Sequence, residues 1–304
     1  MPELSCQGRR WTVPQGANLL DALLQAGIEV PYGCRAGSCQ SCQVRCVAGV
    51  PEDARPEALD AARRAQGWRL ACQCRLSGDL EVDDPQQAGT AAGVDDLTWL
   101  GGEVLRLRLV PERPLAYRAG QQLVLRLGET ARPCSLASLP GEGPWLEFHL
   151  ACAHAGAFCD GARRLKPGDR LELGALIDGA LHYDPTWTDQ PLLLLAHGIG
   201  LAPLWAVLRE ALRQGHSGPI RLLQMGAHYL AEPLADLAQV HGTLQVELLE
   251  GEELPPGFRM TRRTIALVCG HRAFAEACAK RLFLAGVPRG QVFVEAFADD
   301  AGDS

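Results

Sequence analysis

The spacing of four cysteines constrains this chain more than any other feature of its sequence. Cys34, Cys39 and Cys42 have four and then two residues between them, and Cys72 follows after a longer interval. Three thiolates on one loop and a fourth from elsewhere form the ligand pattern of a [2Fe–2S] cluster. A structural zinc site also uses four cysteines, but usually as two close pairs, so the grouping here favours iron. Because such a cluster moves one electron at a time, we expect an electron source or sink in the rest of the chain.

The size, charge and cysteine content of the chain indicate its number of domains, its partners and its cellular location. Its 304 residues predict two or three domains, and a formal net charge of −7 argues against nucleic acid as a partner. The densest apolar run, 192–196, is far shorter than the roughly 18 residues of a membrane span, and residues 1–10 lack the apolar core of a secretory signal. We therefore expect a cytoplasmic protein with no membrane partner, whose twelve cysteines are metal ligands or free thiols.

The first segment, residues 1–85, combines short strand-like runs with one helical pattern. Leucines at helical spacing fill 18–26, where Asn18 is placed to cap the helix and Gly27 to end it. The cysteine loop that follows is rich in glycine, alanine and serine, and such a loop allows backbone N–H groups to face the sulfur atoms of a cluster. This segment resembles the β-grasp fold of plant-type ferredoxins over nearly its whole length.

Two neighbouring cysteines are candidates for the fourth ligand. Cys72 and Cys74 both lie in the run Leu-Ala-Cys-Gln-Cys. The resemblance to ferredoxins favours Cys72, because the last ligand of that family follows a Leu-x pair at about this separation. On an extended strand Cys74 points in a similar direction, so spacing alone does not exclude it. Cys6 and Cys46 are interpreted as small buried hydrophobic residues.

A run without apolar periodicity separates the first segment from the next. Residues 83–93 contain the glycine, proline and alanine that are typical of a linker, and we predict a second domain over 94–186. Apolar and polar residues alternate at 104–110 and again at 123–127, as they do in half-buried antiparallel strands. Several short strands of this kind predict a small β-barrel.

One stretch of this barrel resembles the flavin-binding site of the ferredoxin–NADP reductase family. Residues 132–135 read Arg-Pro-Cys-Ser where the family has Arg-x-Tyr-Ser, and a Gly-Gln pair precedes them at 120–121. The resemblance implies that Arg132 binds a flavin phosphate, which suits a guanidinium in geometry and charge, and that Ser135 hydrogen-bonds the flavin. It also favours FAD over FMN. Cys134 stands where the family has the tyrosine whose ring lies against the flavin.

Other departures from the family pattern fall in the same domain. Gln122 stands where an aromatic residue often follows the Gly-Gln pair, and Cys159 stands where a serine is usual. Residues 174–177 replace a Gly-Pro-aromatic-Gly turn. Because aromatic surface is lost, we expect flavin binding to be weaker or altered.

The last segment, residues 187–304, alternates buried strands with helical patterns. An apolar run at 191–196 leads into His-Gly-Ile-Gly and then into a helical pattern at 204–212. Repeated strand–turn–helix units of this kind predict a doubly wound parallel α/β domain. Gly198 and Gly200 would allow the backbone to approach a pyrophosphate at the start of the helix.

Two motifs in this segment resemble the nicotinamide-nucleotide domain of the same reductase family. The Gly-x-Gly turn corresponds to a Gly-Gly-Thr-Gly turn of the family, with His197 in place of its first glycine. Cys269 and Gly270 correspond to a Cys-Gly turn that lines the dinucleotide cleft, and His271 replaces a proline that often follows it. Phe297 corresponds to the aromatic residue of the terminal strand, which often approaches the flavin.

The order of ferredoxin, flavin barrel and nucleotide domain resembles the single-chain reductase components of bacterial oxygenases. This resemblance implies an enzyme that passes electrons from NAD(P)H through FAD to the cluster and on to a protein acceptor, such as an oxygenase or hydroxylase component. NADH is favoured, because no arginine or serine that would obviously bind a 2′-phosphate follows 224–227, but His228 and Tyr229 leave the choice between NADH and NADPH open. The substitution at Cys134 keeps an alternative open, namely an iron–sulfur electron-transfer or redox-sensing adaptor with degenerate flavin and nucleotide sites.

Overall fold

The computed structural model divides the chain into three successive parts, each with its own principal sheet and hydrophobic core. The residues that it describes are 1–6, 8–28, 30, 32, 35–37, 40, 42–83, 90–101, 103–152, 155–254 and 260–297. None of the helices among these residues combines the length and the hydropathy that crossing a bilayer requires.

The first part folds a mixed sheet over one amphipathic helix. Its elements are β1 (Glu3–Cys6), β2 (Arg9–Thr12), α1 (Leu19–Gln25), β3 (Gln43–Ala48), β4 (Glu52–Asp53), α2 (Ala61–Ala65), β5 (Trp68–Leu70), β6 (Cys74–Arg75) and β7 (Leu80–Val82). The main sheet has the order β2-β1-β7-β3-β5, and Leu19, Leu20 and Leu23 of α1 are fully buried in the core. Asn18 caps α1 as the sequence predicts, because its side chain accepts a hydrogen bond from the backbone N–H of Asp21.

The second part is an antiparallel barrel with one helix against it. Its elements are β8 (Thr90–Trp99), β9 (Val104–Pro111), β10 (Gln122–Leu127), β11 (Thr130–Ser135), β12 (Leu146–Ala151), α3 (Ala157–Arg164) and β13 (Arg170–Ile177). The strand order is β11-β10-β13-β8-β9-β12, and a bridge between Leu136 and Phe148 joins the two edges of this sheet. Closing the sheet on itself removes its exposed edges and encloses a single core.

Two expectations for the second part differ from the structure. The linker expected over 83–93 ends earlier, because β8 begins at Thr90 and pairs with β13 through Gly93. The small residues at 90–93 resemble a linker in sequence, yet they fit a tightly paired strand. Residues 174–177, which correspond to a turn in the related family, lie within strand β13; Leu176 and Ile177 pair with β10, and residues 174–175 lie at a shift in the register.

The third part is a five-stranded parallel sheet with helices on both faces. Its elements are β14 (Leu192–His197), α4 (Leu201–Arg213), β15 (Ile220–Met225), α5 (Ala231–Val240), β16 (Leu244–Leu249), β17 (Ile265–His271), α6 (Arg272–Leu284) and β18 (Val292–Phe297). The order is β16-β15-β14-β17-β18, and α4 and α5 pack in one core while α6 packs in another. This is the predicted doubly wound arrangement, in which ligands bind beyond the carboxyl ends of the strands.

Candidate cofactor and nucleotide sites

The structure describes two of the four predicted cluster ligands, Cys42 and Cys72, whereas Cys34 and Cys39 lie outside the described residues. The backbone N–H of Cys72 donates to Sγ of Cys42 at 3.5 Å, so the two cysteines are adjacent. The side-chain amide of Gln73 donates to Sγ of Cys72 at 3.2 Å. Sulfur atoms that accept N–H groups in this way are suited to holding negative charge, as cluster ligands must.

Gln73 also connects the cysteine loop to Cys72, a role that the sequence did not indicate. Its side-chain Nε2 donates to the carbonyl of Arg35 at 3.1 Å as well as to the sulfur of Cys72. Gly37 of the same loop lies against this side chain, since a Cβ added there would be 3.2 Å from Cγ of Gln73. The glutamine therefore fixes the loop relative to the fourth predicted ligand.

The alternative fourth ligand, Cys74, lies in a different environment. Residues Ala71–Gln73 form a 3₁₀ turn, so the two cysteines do not lie on one extended strand and their side chains diverge. Cys74 is fully buried in the core, and burial raises the pKa of its thiol. Cys72 is half-buried beside Cys42. This placement supports the choice of Cys72, which the sequence alone left open.

The predicted flavin residues lie together at the end of strand β11. The guanidinium of Arg132 lies 5.1 Å from the ring centroid of Phe158 and 3.8 Å from Sγ of Cys159. Among the residues that the structure describes, no carboxylate pairs with Arg132. Ser135 is buried, and its hydroxyl has no hydrogen-bond partner within that part of the chain. A half-buried cation and an unsatisfied hydroxyl three residues apart fit a phosphate and a polar flavin atom.

Cys134 lies between these two residues and is buried in the barrel core, where burial raises the pKa of its thiol to about 12. It therefore remains a neutral thiol at physiological pH and offers no ring for stacking. The weaker flavin stacking expected from the sequence is consistent with this environment.

A chain of contacts connects the flavin strand to the nucleotide domain. Ser135 pairs with Gln122 on the neighbouring strand β10, and the amide of Gln122 donates to the carboxylate of Glu295 on β18. Glu295 is fully buried and pairs in register with Cys269 of β17, whose pKa is raised by burial and by that carboxylate. Sequence reasoning missed Glu295, although a lone acid in an otherwise apolar final strand was a readable signal.

The predicted nucleotide residues meet at the carboxyl edge of the parallel sheet. Gly198 and Gly200 lie in a single 3₁₀ turn between β14 and α4. A Cβ on Gly200 would lie 2.1 Å from the carbonyl oxygen of Cys269, so only glycine allows this turn to lie against β17. Gly270 follows Cys269 within β17, and Phe297 ends β18 opposite His271. The fold therefore brings together residues that are about 70 to 100 positions apart in sequence.

Two histidines and one glutamate converge at this edge. Nε2 of His197 lies 3.1 Å from one carboxylate oxygen of Glu252, and Nε2 of His271 lies 3.5 Å from the other. The two imidazole rings are nearly perpendicular, with centroids 4.5 Å apart. Burial, together with the neighbouring His271, lowers the pKa of His197. The sequence did not predict this cluster, because its three members are widely separated in the chain.

Comparison with known proteins agrees with this arrangement. Residues 3–77 match the family described as the 2Fe-2S iron-sulfur cluster binding domain. The reductase subunit of an aromatic O-demethylase from Amycolatopsis sp. is 31% identical over 91% of this chain and 92% of its own. The chain belongs to the family of single-chain reductases that join a [2Fe–2S] ferredoxin domain to a ferredoxin–NADP reductase-like module.

Further members of this reductase family match nearly the whole chain. The reductase component of a naphthalene 1,2-dioxygenase system from Pseudomonas putida is 28% identical over 97% of this chain and 98% of its own. The crystal structure of an Amycolatopsis cytochrome P450 reductase superposes with a TM-score of 0.67, at 28% identity over 98% of this chain and 99% of that one.

These relationships confirm the predicted family, the fold class and the cofactor set of a [2Fe–2S] cluster, FAD and NAD(P)H. They also confirm the class of enzyme, an NAD(P)H-dependent iron–sulfur flavoprotein reductase. The domain limits and the roles of individual residues stay predictions.

Proposed function

We propose that this reductase is the electron-supplying component of an oxygenase or hydroxylase system. It takes two electrons together from NAD(P)H and delivers them singly, through the cluster, to a separate protein acceptor. A bound flavin supplies the conversion between two-electron and one-electron transfer. The relatives named as reductase components of dioxygenase and O-demethylase systems support this assignment.

The observation that carries the proposal is the position of the barrel, whose strand β11 holds the predicted flavin residues, in contact with both the nucleotide domain and the ferredoxin part. On one side, the contacts from Ser135 through Gln122 to Glu295 join it to the nucleotide domain. On the other side, Arg63 of the ferredoxin part forms an ion pair with Asp178 of the barrel at 3.2 Å. The barrel therefore contacts both of the other parts, as a flavin that passes electrons from a nucleotide to a cluster requires. Ala36 of the cysteine loop also packs against the core of the nucleotide domain.

We assign the site roles as follows. Arg132 binds a phosphate of FAD, Ser135 hydrogen-bonds its ring system, and Cys134 occupies the place of a stacking ring. Gly198, Gly200, Cys269 and Gly270 line the nucleotide cleft, and Phe297 supplies ring contact. Cys34, Cys39, Cys42 and Cys72 ligate the cluster.

We also propose a division into residues 1–85, a barrel that begins with β8 at Thr90 and extends to 186, and residues 187–304, together with a cytoplasmic location.

One purification tests it. We expect iron and acid-labile sulfide in equal amounts, about one flavin per chain, little zinc, and NADH-dependent reduction of a one-electron dye. A cluster without flavin, and without turnover when FAD is supplied, would contradict reductase function and indicate the adaptor. Zinc without sulfide would exclude the cluster itself.

A further inference from the structure

The carboxylate of Glu252 bridges two imidazoles at the place where a doubly wound sheet binds its ligand. His197 ends β14 and His271 ends β17, and these strands are neighbours in the parallel sheet. The ring of His197 also reaches the end of β15, since a Cβ added to Gly226 would lie 2.7 Å from its Nε2. Ligands of such folds bind in the crevice outside the carboxyl ends of the strands. The two rings and the acid therefore stand in the predicted nucleotide cleft.

The composition of this cluster, two histidines and one carboxylate, would suit a zinc ion. The hydrogen bonds favour a different ligand. Nδ1 of His271 accepts the backbone N–H of Phe274 at 3.2 Å, where it caps helix α6. A neutral imidazole that accepts at Nδ1 carries its proton at Nε2, so this nitrogen donates towards Glu252 and offers no lone pair to a metal. Two N–H groups that converge on one carboxylate form an anion site.

We propose that His197 and His271 form a clamp for the diphosphate group of NAD(P)H, and that Glu252 occupies this clamp until the nucleotide displaces it. The proposal rests on the proposed reductase function, because it names the residues that receive the reductase's nucleotide. Glu252 can leave readily: its side chain is 59% exposed, against 20% for His197, and it lies in a segment that is neither helix nor strand. A carboxylate with two oxygens imitates the paired oxygens of a phosphate.

The charges around the clamp determine how the binding of an anion should depend on pH. Burial is the main cause of the lowered pKa of His197; His271 lowers it further and Glu252 raises it. Phe274, whose ring centroid lies 5.3 Å from that of His197, carries no charge. A bound diphosphate brings more negative charge than Glu252 does, so it favours the protonated form of His197. Binding should therefore take up protons and tighten as the pH falls from 8 to 6.

The test measures binding without turnover, by calorimetry of the cluster- and flavin-loaded protein with inorganic pyrophosphate and with NAD⁺. In Glu252→Gln the competing charge is gone, and we expect both ligands to bind about fivefold more tightly, the effect of a partly exposed ion pair. Glu253→Gln removes the same charge from the next residue, which is exposed and makes no contact with either histidine. We expect this matched control to bind like the wild type.

Two histidine variants complete the design. His197→Gly introduces the glycine of the related family, and His271→Asn keeps a side chain that can cap α6 while removing the Nε2 donor. Both should weaken pyrophosphate binding about tenfold, as the loss of a hydrogen bond to a charged group does. His197→Gly should also flatten the pH dependence of this binding.

Equal effects of the Glu252 and Glu253 variants would overturn the clamp. So would stoichiometric Zn²⁺ binding that is lost in Glu252→Gln, because it would make the cluster a metal site. If NADH-driven dye reduction is absent while pyrophosphate binds as expected, the proposed function fails and the clamp stands. If turnover is normal and Glu252→Gln leaves both affinities unchanged, the clamp alone fails.

Discussion

The direction of the side chain distinguishes Cys72 from Cys74, the two candidates for the fourth cluster ligand. The 3₁₀ turn at Ala71–Gln73 leaves Cys72 beside Cys42 and turns Cys74 into the core. We predict that Cys72→Ala loses the cluster, because Cys74, the other candidate, is buried in the core and cannot replace the thiolate beside Cys42. The measurement is iron and acid-labile sulfide per chain, together with the visible absorption of the cluster.

Cys74→Ala is the matched control for this prediction. It should retain iron and sulfide and lose only about 1 kcal/mol of unfolding free energy, the scale of a small buried apolar group. A cluster that survives in Cys72→Ala and disappears in Cys74→Ala would reverse the ligand assignment.

Arg132 is the residue on which the proposed flavin site most depends. Its guanidinium has no carboxylate partner among the described residues, so its charge is available to a phosphate. We predict that Arg132→Ala weakens FAD binding roughly 10- to 100-fold, as expected when a charge-assisted hydrogen bond is lost. The measurement is titration of the flavin-stripped protein with FAD, followed by quenching of flavin fluorescence.

Arg164→Ala supplies the comparison for this variant, because Arg164 is an exposed arginine at the end of the nearby helix α3. It should leave FAD affinity unchanged. An equal loss of FAD affinity in the two variants would mean that any nearby positive charge favours binding, and it would contradict the assignment of Arg132 to the flavin site.

At the scale of secondary structure elements, a buried polar network joins strand β12 to the nucleotide domain. Glu147 accepts a hydrogen bond from Nε of Arg108 at 2.7 Å, and its other carboxylate oxygen lies 3.1 Å from Nε2 of His149. Nδ1 of His149 lies 3.2 Å from the hydroxyl of Tyr229, which follows β15. Burial alone would raise the pKa of Glu147, but His149 and Arg108 together lower it below its usual value.

This network predicts how stability depends on pH. A carboxyl with a lowered pKa in the folded state stabilises the protein above its unfolded pKa and loses that contribution as the pH falls through the folded value. We expect Glu147→Gln to lose about 1–3 kcal/mol of unfolding free energy at pH 7, because Arg108 and His149 lose a charged partner in a buried setting. The measurement is chemical unfolding at pH 7 and at pH 3.5.

The difference between wild type and Glu147→Gln should shrink at the lower pH, because the carboxyl is then protonated in the unfolded chain and the ionised folded form loses part of its contribution. Glu129→Gln, an exposed acid in the turn between β10 and β11, should show no difference at either pH. A difference for Glu147→Gln that is the same at both values would mean that the loss comes from packing and not from charge.

Periodicity and family patterns predicted most helices and strands. They did not reveal the side-chain contacts between residues that are far apart in the sequence. Alternation identified β9 and β10, and the helical pattern identified α1 with its cap. The edge strand β16 was missed, although its apolar and polar residues alternate as they do in a half-buried strand. Glu252 could not be found at all, since only the folded sheet brings it to residues more than fifteen positions away. The local sequence determines the propensity for helix or strand, whereas such side-chain clusters depend on the order of the strands in the folded sheet.

At the scale of the whole molecule, Asp178 joins the ferredoxin part to the barrel. One carboxylate oxygen lies 3.2 Å from Nη2 of Arg63 on α2, and the other accepts from Arg118 and from the side chain of Gln121. Arg118 and Gln121 belong to the barrel and hold the acid in place, and Arg63 forms an ion pair with it that crosses between the two parts. Electron transfer from flavin to cluster requires this docked arrangement.

We predict that Asp178→Asn slows reduction of the cluster about threefold while reduction of the flavin by NADH keeps its rate, because a partly exposed ion pair contributes up to about 1 kcal/mol. Stopped-flow absorbance after mixing with NADH separates the two steps. Arg63→Gln should give the same change, and the double variant should add nothing further, as expected when both remove one interaction.

Asp189→Asn breaks an exposed ion pair with Arg263 within the nucleotide domain and should leave both rates unchanged. Raising the salt concentration should slow only the wild-type cluster step towards that of the variants; a salt-independent wild-type rate would show that the ion pair does not set the docking.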